Sequence, residues 1–170
     1  MKNTKIVIFD LDSTLVHTPT EHDGKAVWEK ATGLAWPYTG WWSKSESLNL
    51  DVFHIPLNMW VYNKYLEHKK EENTKIFLAT GRLKKLEKHV RAILDYHDVE
   101  FDGVHCNTGG ETYNFKSRLF ESLIKEHKAT EIICYDDRHE HIKKFIYWAK
   151  PMNIKTTIVD VINKKFYKNF

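Results

Sequence analysis

The sequence predicts an α/β fold, with a doubly wound, Rossmann-like parallel sheet and a small cap insertion. Short apolar runs rich in β-branched residues alternate with longer segments of helical periodicity, as expected for a parallel sheet covered by helices on both faces. The strand-like runs are continuously apolar, which is typical of strands buried on both sides. The length of 170 residues fits one domain, predicted to span residues 1–170.

The first strand, the cap insertion and the first core helix follow one another along the chain. Residues 5–9 are apolar and β-branched, and the run ends abruptly at Asp10. Residues 17–55 show no regular period and are punctuated by Gly and Pro, so they are predicted to form an irregular cap segment with one short helix near residues 26–32. After Pro56, a favoured first-turn residue, apolar residues return at helical spacing.

The rest of the chain continues the alternation of strand and helix. Unbroken apolar runs predict strands, and apolar residues every three or four positions predict amphipathic helices. The predicted order is strand 75–79, helix 83–94, strand 103–106, helix 115–124, strand 132–135, helix 142–149 and strand 156–161. The basic and aromatic segment 164–168 is predicted to be a solvated tail.

Composition excludes several classes of protein. Hydrophobic residues make up 42% of the chain and charged residues 29%, so a disordered chain is excluded. No apolar run reaches the ~18 residues of a membrane helix, and no signal-peptide pattern is present. A cytoplasmic protein without membrane contact or an obligate protein partner is expected. Cys106 and Cys134 lie at the ends of apolar runs and are predicted to be buried free thiols.

Polar side chains follow several of the predicted strands, where each strand ends. Ligands of open α/β sheets bind beyond the carboxyl ends of the strands, so these side chains are expected to meet in one volume. The converging residues are predicted to be Asp10, Asp12, Thr80, Lys116, Asp136 and Asp137.

Carboxylates brought so close together repel one another unless a cation compensates their charge. Ligation by oxygen atoms alone favours Mg²⁺. A lysine and a hydroxyl beside such a metal suit a phosphoryl group, whose transfer depends on positioning and charge neutralisation.

Four short motifs resemble those of the haloacid dehalogenase (HAD) superfamily. Residues 9–15, Phe-Asp-Leu-Asp-Ser-Thr-Leu, resemble the first motif, DxDxT, and residues 78–82, Leu-Ala-Thr-Gly-Arg, resemble the second. Lys116 matches the third motif, and residues 135–137, Tyr-Asp-Asp, match the fourth. Because order, spacing and strand context all agree, the chain resembles a single HAD-like phosphatase domain.

The resemblance implies a catalytic role for four residues. Asp10 would be the nucleophile that forms an aspartyl-phosphate. Asp12 would protonate the leaving oxygen and then activate water, and an aspartate at this position favours phosphatases over dehalogenases. Thr80 would bind phosphoryl oxygens, and Lys116 would neutralise charge on the phosphate and on Asp10.

The resemblance also implies the metal ligands and the substrate-binding residues. The implied Mg²⁺ ligands are Asp10, Asp12 through its backbone carbonyl, Asp136 and Asp137; which of the last two binds directly and which through water stays open. The implied substrate-binding residues are Thr14, Gly81, Arg82 and Arg138. Each arginine either clamps a substrate phosphate or anchors its own loop by pairing with a carboxylate.

Two closer resemblances point to nucleic acid ends as substrates. Asp-Asp-Arg at 136–138 is similar to the phosphatase domain of phage-type polynucleotide kinase-phosphatases, which remove 3′-phosphates. Other segments are similar to the HAD domain of the "Swiss Army Knife" RNA-repair proteins, although Asp136 stands where that pattern has Glu. These segments are Gly-Trp-Trp at 40–42, Ser-Leu at 47–48, Phe-Lys at 115–116 and Asp-Arg-His-Glu-His at 137–141.

The expected function is therefore Mg²⁺-dependent hydrolysis of phosphomonoesters through Asp10, acting on 3′-phosphates of nucleic acid ends in repair. The alternatives are a 5′(3′)-nucleotidase or other small-metabolite phosphatase, and an inactive HAD-like binding module. A small cap leaves room for a polynucleotide. The four cap tryptophans either form a local core or stack on bases; they are Trp28, Trp36, Trp41 and Trp42.

Overall fold

A six-stranded sheet forms the centre of the computed structural model, which describes residues 4–169. The strands are β1 (Lys5–Phe9), β2 (Thr74–Leu83), β3 (Gly103–Asn107), β4 (Glu131–Asp136), β5 (Lys155–Asp160) and β6 (Lys165–Asn169). Their order is β3-β2-β1-β4-β5-β6. The first five strands pair in parallel, and β6 pairs antiparallel with β5. The predicted doubly wound α/β fold is confirmed.

In the described part of the chain, five α-helices accompany the sheet, together with short 3₁₀ helices at Ser45–Leu48 and Lys84–Leu86. The α-helices are α1 (Glu21–Thr32), α2 (Met59–Lys69), α3 (Glu87–Tyr96), α4 (Thr112–His127) and α5 (His139–Ala149). Apolar residues of α2 and α3 share one core cluster with Val7 and Phe9 of β1. Those of α4 and α5 share the other with Ile6 and Ile8. Because helices cover both faces, the four buried residues of β1, Ile6 to Phe9, are all apolar.

Helix α1 begins five residues before the predicted short helix. Thr20 caps its N-terminus by accepting a hydrogen bond from the Asp23 amide at 3.2 Å, and Gly33, with φ of 74°, ends it. Most of its residues are exposed, so the apolar period that marks other helices is missing. The capping residues Thr20 and Gly33 therefore indicate this helix in the sequence, although no apolar period does.

Strand β2 is longer than the predicted strand, which ended at residue 79. It continues to Leu83 because β3 still pairs with it there, after a register shift between Thr80 and Leu83. A β-carbon at Gly81 would lie 2.8 Å from Oγ1 of Thr112. The absence of a side chain at Gly81 therefore lets β2 pass close to the start of α4.

The segment predicted to be a solvated tail forms the edge strand β6, so that prediction is wrong. Its backbone pairs with β5 from Asp160 to Thr156. The Asn169 side chain fixes the end of the strand, since it accepts from the Thr156 amide and donates to the Ala149 carbonyl, both at 2.6 Å. The lysines of β6 give it a polar composition that is common in exposed edge strands.

Three of the four cap tryptophans form a local core. The ring centroids of Trp28 and Trp36 are 5.1 Å apart, and those of Trp36 and Trp41 are 4.7 Å apart. Trp41 is only 1% exposed, and its indole N–H donates to the Pro19 carbonyl at 3.2 Å. Trp42 is outside this group and is 44% exposed.

The packing of Trp41 on α1 predicts a strong effect at Gly24. A β-carbon at Gly24 would overlap the six-membered ring of Trp41. Gly24→Ala is therefore expected to lower the free energy of unfolding by about 1–3 kcal/mol, although alanine is the better helix former. Urea denaturation measures this. Glu29→Ala, an exposed change in the same helix, should stay within about 0.5 kcal/mol; equal stability of the two variants would contradict the packing argument.

Both cysteines, Cys106 and Cys134, are buried and free, as predicted. Burial raises the pKa of the Cys106 thiol to about 11, so little of it is ionised at neutral pH. None of the helices within residues 4–169 has the length and apolar character needed to cross a membrane.

Candidate active site

Three carboxylates meet at the C-terminal ends of β1 and β4. These strands pair side by side, with Phe9 opposite Tyr135, so Asp10, which follows β1, lies beside Asp136, the last residue of β4. The amide of Asp10 donates to the Tyr135 carbonyl at 3.0 Å. One oxygen each of Asp10, Asp136 and Asp137 lies within 4.8 Å of the others. Parallel strand pairing thus creates the close approach of these acids.

Lys116 enters this group from the second turn of α4. Its Nζ donates to Oδ1 of Asp10 at 2.8 Å and to Oδ2 of Asp136 at 2.6 Å. The lysine is 2% exposed, so both ion pairs are shielded from solvent. Within residues 4–169, Oδ2 of Asp10 accepts no hydrogen bond.

Burial and neighbouring charges shift the pKa values of the three carboxylates in different directions. Burial is the main cause that raises the pKa of Asp10 to about 8. The negative charges of Asp136 and Asp137 also raise this pKa, and the positive charge of Lys116 lowers it. Burial and the Asp136 charge raise the pKa of Asp137 as well. Burial also disfavours ionised Asp136, but Lys116 and several hydrogen bonds hold its pKa below the usual range.

The same residues meet the requirements of a site for a hard divalent cation. The oxygens of the three carboxylates are close together, and Lys116 pairs with two of them, Asp10 and Asp136. Oxygen is the donor that Mg²⁺ and Ca²⁺ prefer. Despite its burial, the pKa of Lys116 is raised above its ordinary value by the charges of Asp10 and Asp136. Added positive charge would relieve the raised pKa values of Asp10 and Asp137.

Asp12 lies apart from the three clustered carboxylates and faces Arg82. Arg82 donates from Nε to Oδ2 of Asp12 at 3.0 Å and from Nη2 to Oδ1 at 2.7 Å. The Thr18 hydroxyl donates to the same Oδ1 at 2.7 Å. Ser13, with φ of 57°, turns the chain just after Asp12.

The remaining donors of Arg82 hold the cap segment. Nη1 donates to the Trp42 carbonyl at 2.9 Å and to Oγ of Ser47 at 2.7 Å. Arg82 is 2% exposed and Ser47 is fully buried. Of the two roles considered for Arg82, the structure favours the anchoring one, since its hydrogen bonds go to Asp12 and to the cap.

A cavity of about 330 Å³ opens above these groups. We call it the site cavity. Its lining residues are Asp10, Asp12, Ser13, Thr20, Trp42, Gly81, Arg82, Thr112, Lys116, Asp137 and Arg138.

Three sequence-predicted residues, Asp136, Thr80 and Thr14, do not line the cavity but form hydrogen bonds with residues that do. Asp136 is 2% exposed and accepts the Arg138 amide at 3.0 Å. Thr80 is fully buried and accepts the Arg82 amide at 3.1 Å. Thr14 donates to Asp137 at 3.4 Å.

The exposed Arg138 side chain forms no ion pair within residues 4–169, so it is available for an anionic ligand.

Sequence reasoning gave no role to four residues around the site, Ser13, Thr20, Ser47 and Thr112, whereas Trp42 was considered as a residue that could stack on bases. Ser13, Thr20 and Thr112 line the cavity, and no sequence pattern distinguishes them from ordinary turn and cap residues. Trp42 and Ser47 belong to short segments that carried the resemblance to the RNA-repair proteins. That resemblance was the available signal for a role near Arg82.

A family model described as "HAD domain family 1 in Swiss Army Knife RNA repair proteins" matches residues 28–167. The match includes Thr80, Lys116, Asp136 and Asp137, whereas Asp10 and Asp12 precede it. A comparison with curated proteins finds no match.

Two solved structures of HAD hydrolases are similar to this chain. One is a HAD family hydrolase from Salmonella enterica subsp. enterica serovar Typhi, with 17% identity and a TM-score of 0.47 over 79% of this chain. The chain spans 57% of that protein. The other is a HAD-superfamily hydrolase, subfamily IA, variant 1, from Geobacter sulfurreducens PCA, with 11% identity and a TM-score of 0.49 over 81% of this chain and 80% of that one.

Proposed function

We propose that this chain, which belongs to the HAD domain family 1 of Swiss Army Knife RNA repair proteins, removes the 3′-phosphate from nucleic acid ends. The observation that carries the proposal is Lys116 bound between Asp10 and Asp136, with Asp137 alongside, at the floor of an open cavity. This arrangement presents one carboxylate to a phosphoryl group and surrounds it with groups that manage charge.

Asp10 has the position of a nucleophile. Lys116 holds its Oδ1, and Oδ2 is left to attack phosphorus. Attack forms a bond between Oδ2 and phosphorus and breaks the bond between phosphorus and the ester oxygen. The ester oxygen takes a proton from Asp12 and leaves as the free 3′-hydroxyl.

The second half of the reaction regenerates both carboxyl groups. Asp12, now ionised, accepts a proton from a water molecule that attacks the phosphorus of the aspartyl-phosphate. Inorganic phosphate leaves and Asp10 returns to its free form. Arg82 and Thr18 donate to the ionised Asp12 carboxylate and so orient it to accept the proton of the attacking water.

Asp10, Asp136 and Asp137 would hold a divalent cation, with Asp12 contributing its backbone carbonyl. Bound there, Mg²⁺ would supply the positive charge that favours ionised Asp10 and neutralises phosphoryl oxygens. Lys116, which is fixed to both Asp10 and Asp136, would add a second positive charge.

Two further observations support nucleic acid as the substrate class. The matched family is described by its occurrence in RNA repair proteins. The exposed Arg138 lies at the cavity, where a guanidinium can bind a backbone phosphate. A 5′(3′)-nucleotidase is the second candidate, because a cavity of about 330 Å³ also accommodates a single free nucleotide. The complete set of acids and Lys116 argues against a mere binding module.

Substrate and metal are tested together by phosphate release from a 3′-phosphorylated oligonucleotide. Release is expected with Mg²⁺, to stop with EDTA and to resume when Mg²⁺ is restored. The ratio kcat/KM should be at least about tenfold higher for the oligonucleotide than for 3′- or 5′-mononucleotides, because only the longer substrate offers backbone phosphates. Equal or lower efficiency on the oligonucleotide would favour the nucleotidase, and release in EDTA would contradict the metal site.

A further inference from the structure

Trp42 differs from the other cap tryptophans in what surrounds it. Trp28, Trp36 and Trp41 pack against one another, whereas Trp42 is 44% exposed and lines the same cavity as Asp10 and Lys116. An exposed indole is a large apolar surface that contributes little to the core. Its place beside the carboxylates calls for another explanation.

The position of Trp42 is fixed by a buried group. The Arg82 guanidinium lies 4.8 Å from the centre of the indole ring and donates to the Trp42 carbonyl. Arg82 is itself held by Asp12 and Ser47. The indole is therefore presented to the cavity by the same side chain that orients Asp12.

Arg82 covers one face of the Trp42 ring, and part of the residue is exposed. No aromatic ring within residues 4–169 packs against Trp42. The exposure of 44% is consistent with an open second face. Planar aromatic groups bind such a surface by stacking.

We infer that Trp42 stacks on the base of the nucleotide that carries the phosphate. The site would then select phosphomonoesters in which a single sugar joins the phosphate to a nucleobase. The inference rests on the proposed function, because it places the phosphate at Asp10. The cavity volume of about 330 Å³ suits one phosphorylated nucleotide, with Arg138 free to meet the next phosphate of a strand. Stacking tolerates any base, so the site selects for the presence of a base and reads no sequence.

The test compares two oligonucleotides that end in a 3′-phosphate and differ only in whether the terminal nucleotide has its base. The native chain should hydrolyse the base-bearing substrate with a kcat/KM roughly 10- to 100-fold above that of the abasic one, as expected for a lost stacking contact. In Trp42→Ala this ratio should fall to near one, and in Trp42→Phe most of it should return. Trp60→Ala, which changes a half-buried tryptophan outside the cavity, should keep the native ratio.

The outcomes separate this inference from the proposed function. A native ratio near one, or a ratio unchanged in Trp42→Ala, would overturn the stacking role while 3′-phosphate hydrolysis still stands. Equal losses on both substrates in Trp42→Ala would also overturn it, since they indicate that Trp42 only supports Arg82. If the native chain releases phosphate from glycerol phosphate but from neither oligonucleotide, the proposed function itself fails.

Discussion

Asp10→Asn is expected to abolish phosphate release and, in the absence of metal, to raise the melting temperature. Loss of the nucleophile should reduce kcat on the order of 10⁴-fold or more, because the amide forms no aspartyl-phosphate. The gain in stability arises because Asp10 is buried beside Asp136 and Asp137, where its negative charge is unfavourable. A neutral amide of the same shape removes that charge.

The pH dependence of the stability difference follows from the pKa of Asp10, which is about 8 in the folded chain against an ordinary 3.8. Between about pH 4 and pH 8 the folded state keeps a proton that the unfolded state releases. The native chain therefore loses stability as pH rises through this range, and Asp10→Asn does not share that loss. The gap in melting temperature should widen from pH 5 to pH 8.

Thermal unfolding in EDTA at several pH values measures the gap. Asp51→Asn, an exposed carboxylate of the cap segment, is the matched control and should show no such trend. Retained activity in Asp10→Asn would remove the covalent mechanism. A lower melting temperature across the whole range would show that Asp10 is stabilised by its surroundings and would contradict its raised pKa.

Lys116→Met is expected to be the most destabilising change at the site. It removes the only lysine or arginine that contacts Asp10 and Asp136 among the described residues, while methionine keeps similar length and fills the space. Breaking a buried pair by removal of one partner costs about 3–5 kcal/mol. Urea denaturation in EDTA should show a loss of that size in the free energy of unfolding.

A double variant identifies the origin of that loss. In Asp10→Asn/Lys116→Met one of the two unpaired carboxylates is gone, so the loss should be smaller than in Lys116→Met alone. Lys125→Met, an exposed lysine on the same helix, controls for the substitution itself. Equal stability of Lys116→Met and Lys125→Met would show that the buried ion pairs contribute nothing measurable.

The arrangement at the centre of the molecule could be predicted from the sequence because local patterns decide it. Apolar runs define β1 and β4, and acids at the ends of neighbouring parallel strands must lie close together. The meeting of Asp10, Asp136 and Lys116 follows from that geometry once the strand order is known. The HAD resemblance supplied the order of the motifs and the chemical roles.

Elements that depend on distant contacts were beyond sequence reasoning. The polar segment 165–169 is a strand only because the edge of β5 is there to pair with it. The extension of β2 to Leu83 depends on β3. Likewise, nothing in the pattern around Arg82 reveals that Asp12, 70 positions away, and Ser47, 35 positions away, would share its guanidinium. These residues come together only in the folded chain, so neither the composition nor the hydrophobic periodicity of the sequence predicts their contacts.

Arg82 also links the cap segment to Asp12, since one guanidinium binds both. A displacement of the stretch that carries Trp42 and Ser47 would break two hydrogen bonds to the guanidinium and free it to leave Asp12. The Asp12 carboxylate would then be held by Thr18 alone. Under the proposed mechanism, the orientation of Asp12 for proton transfer therefore depends on the contacts between the cap segment and Arg82.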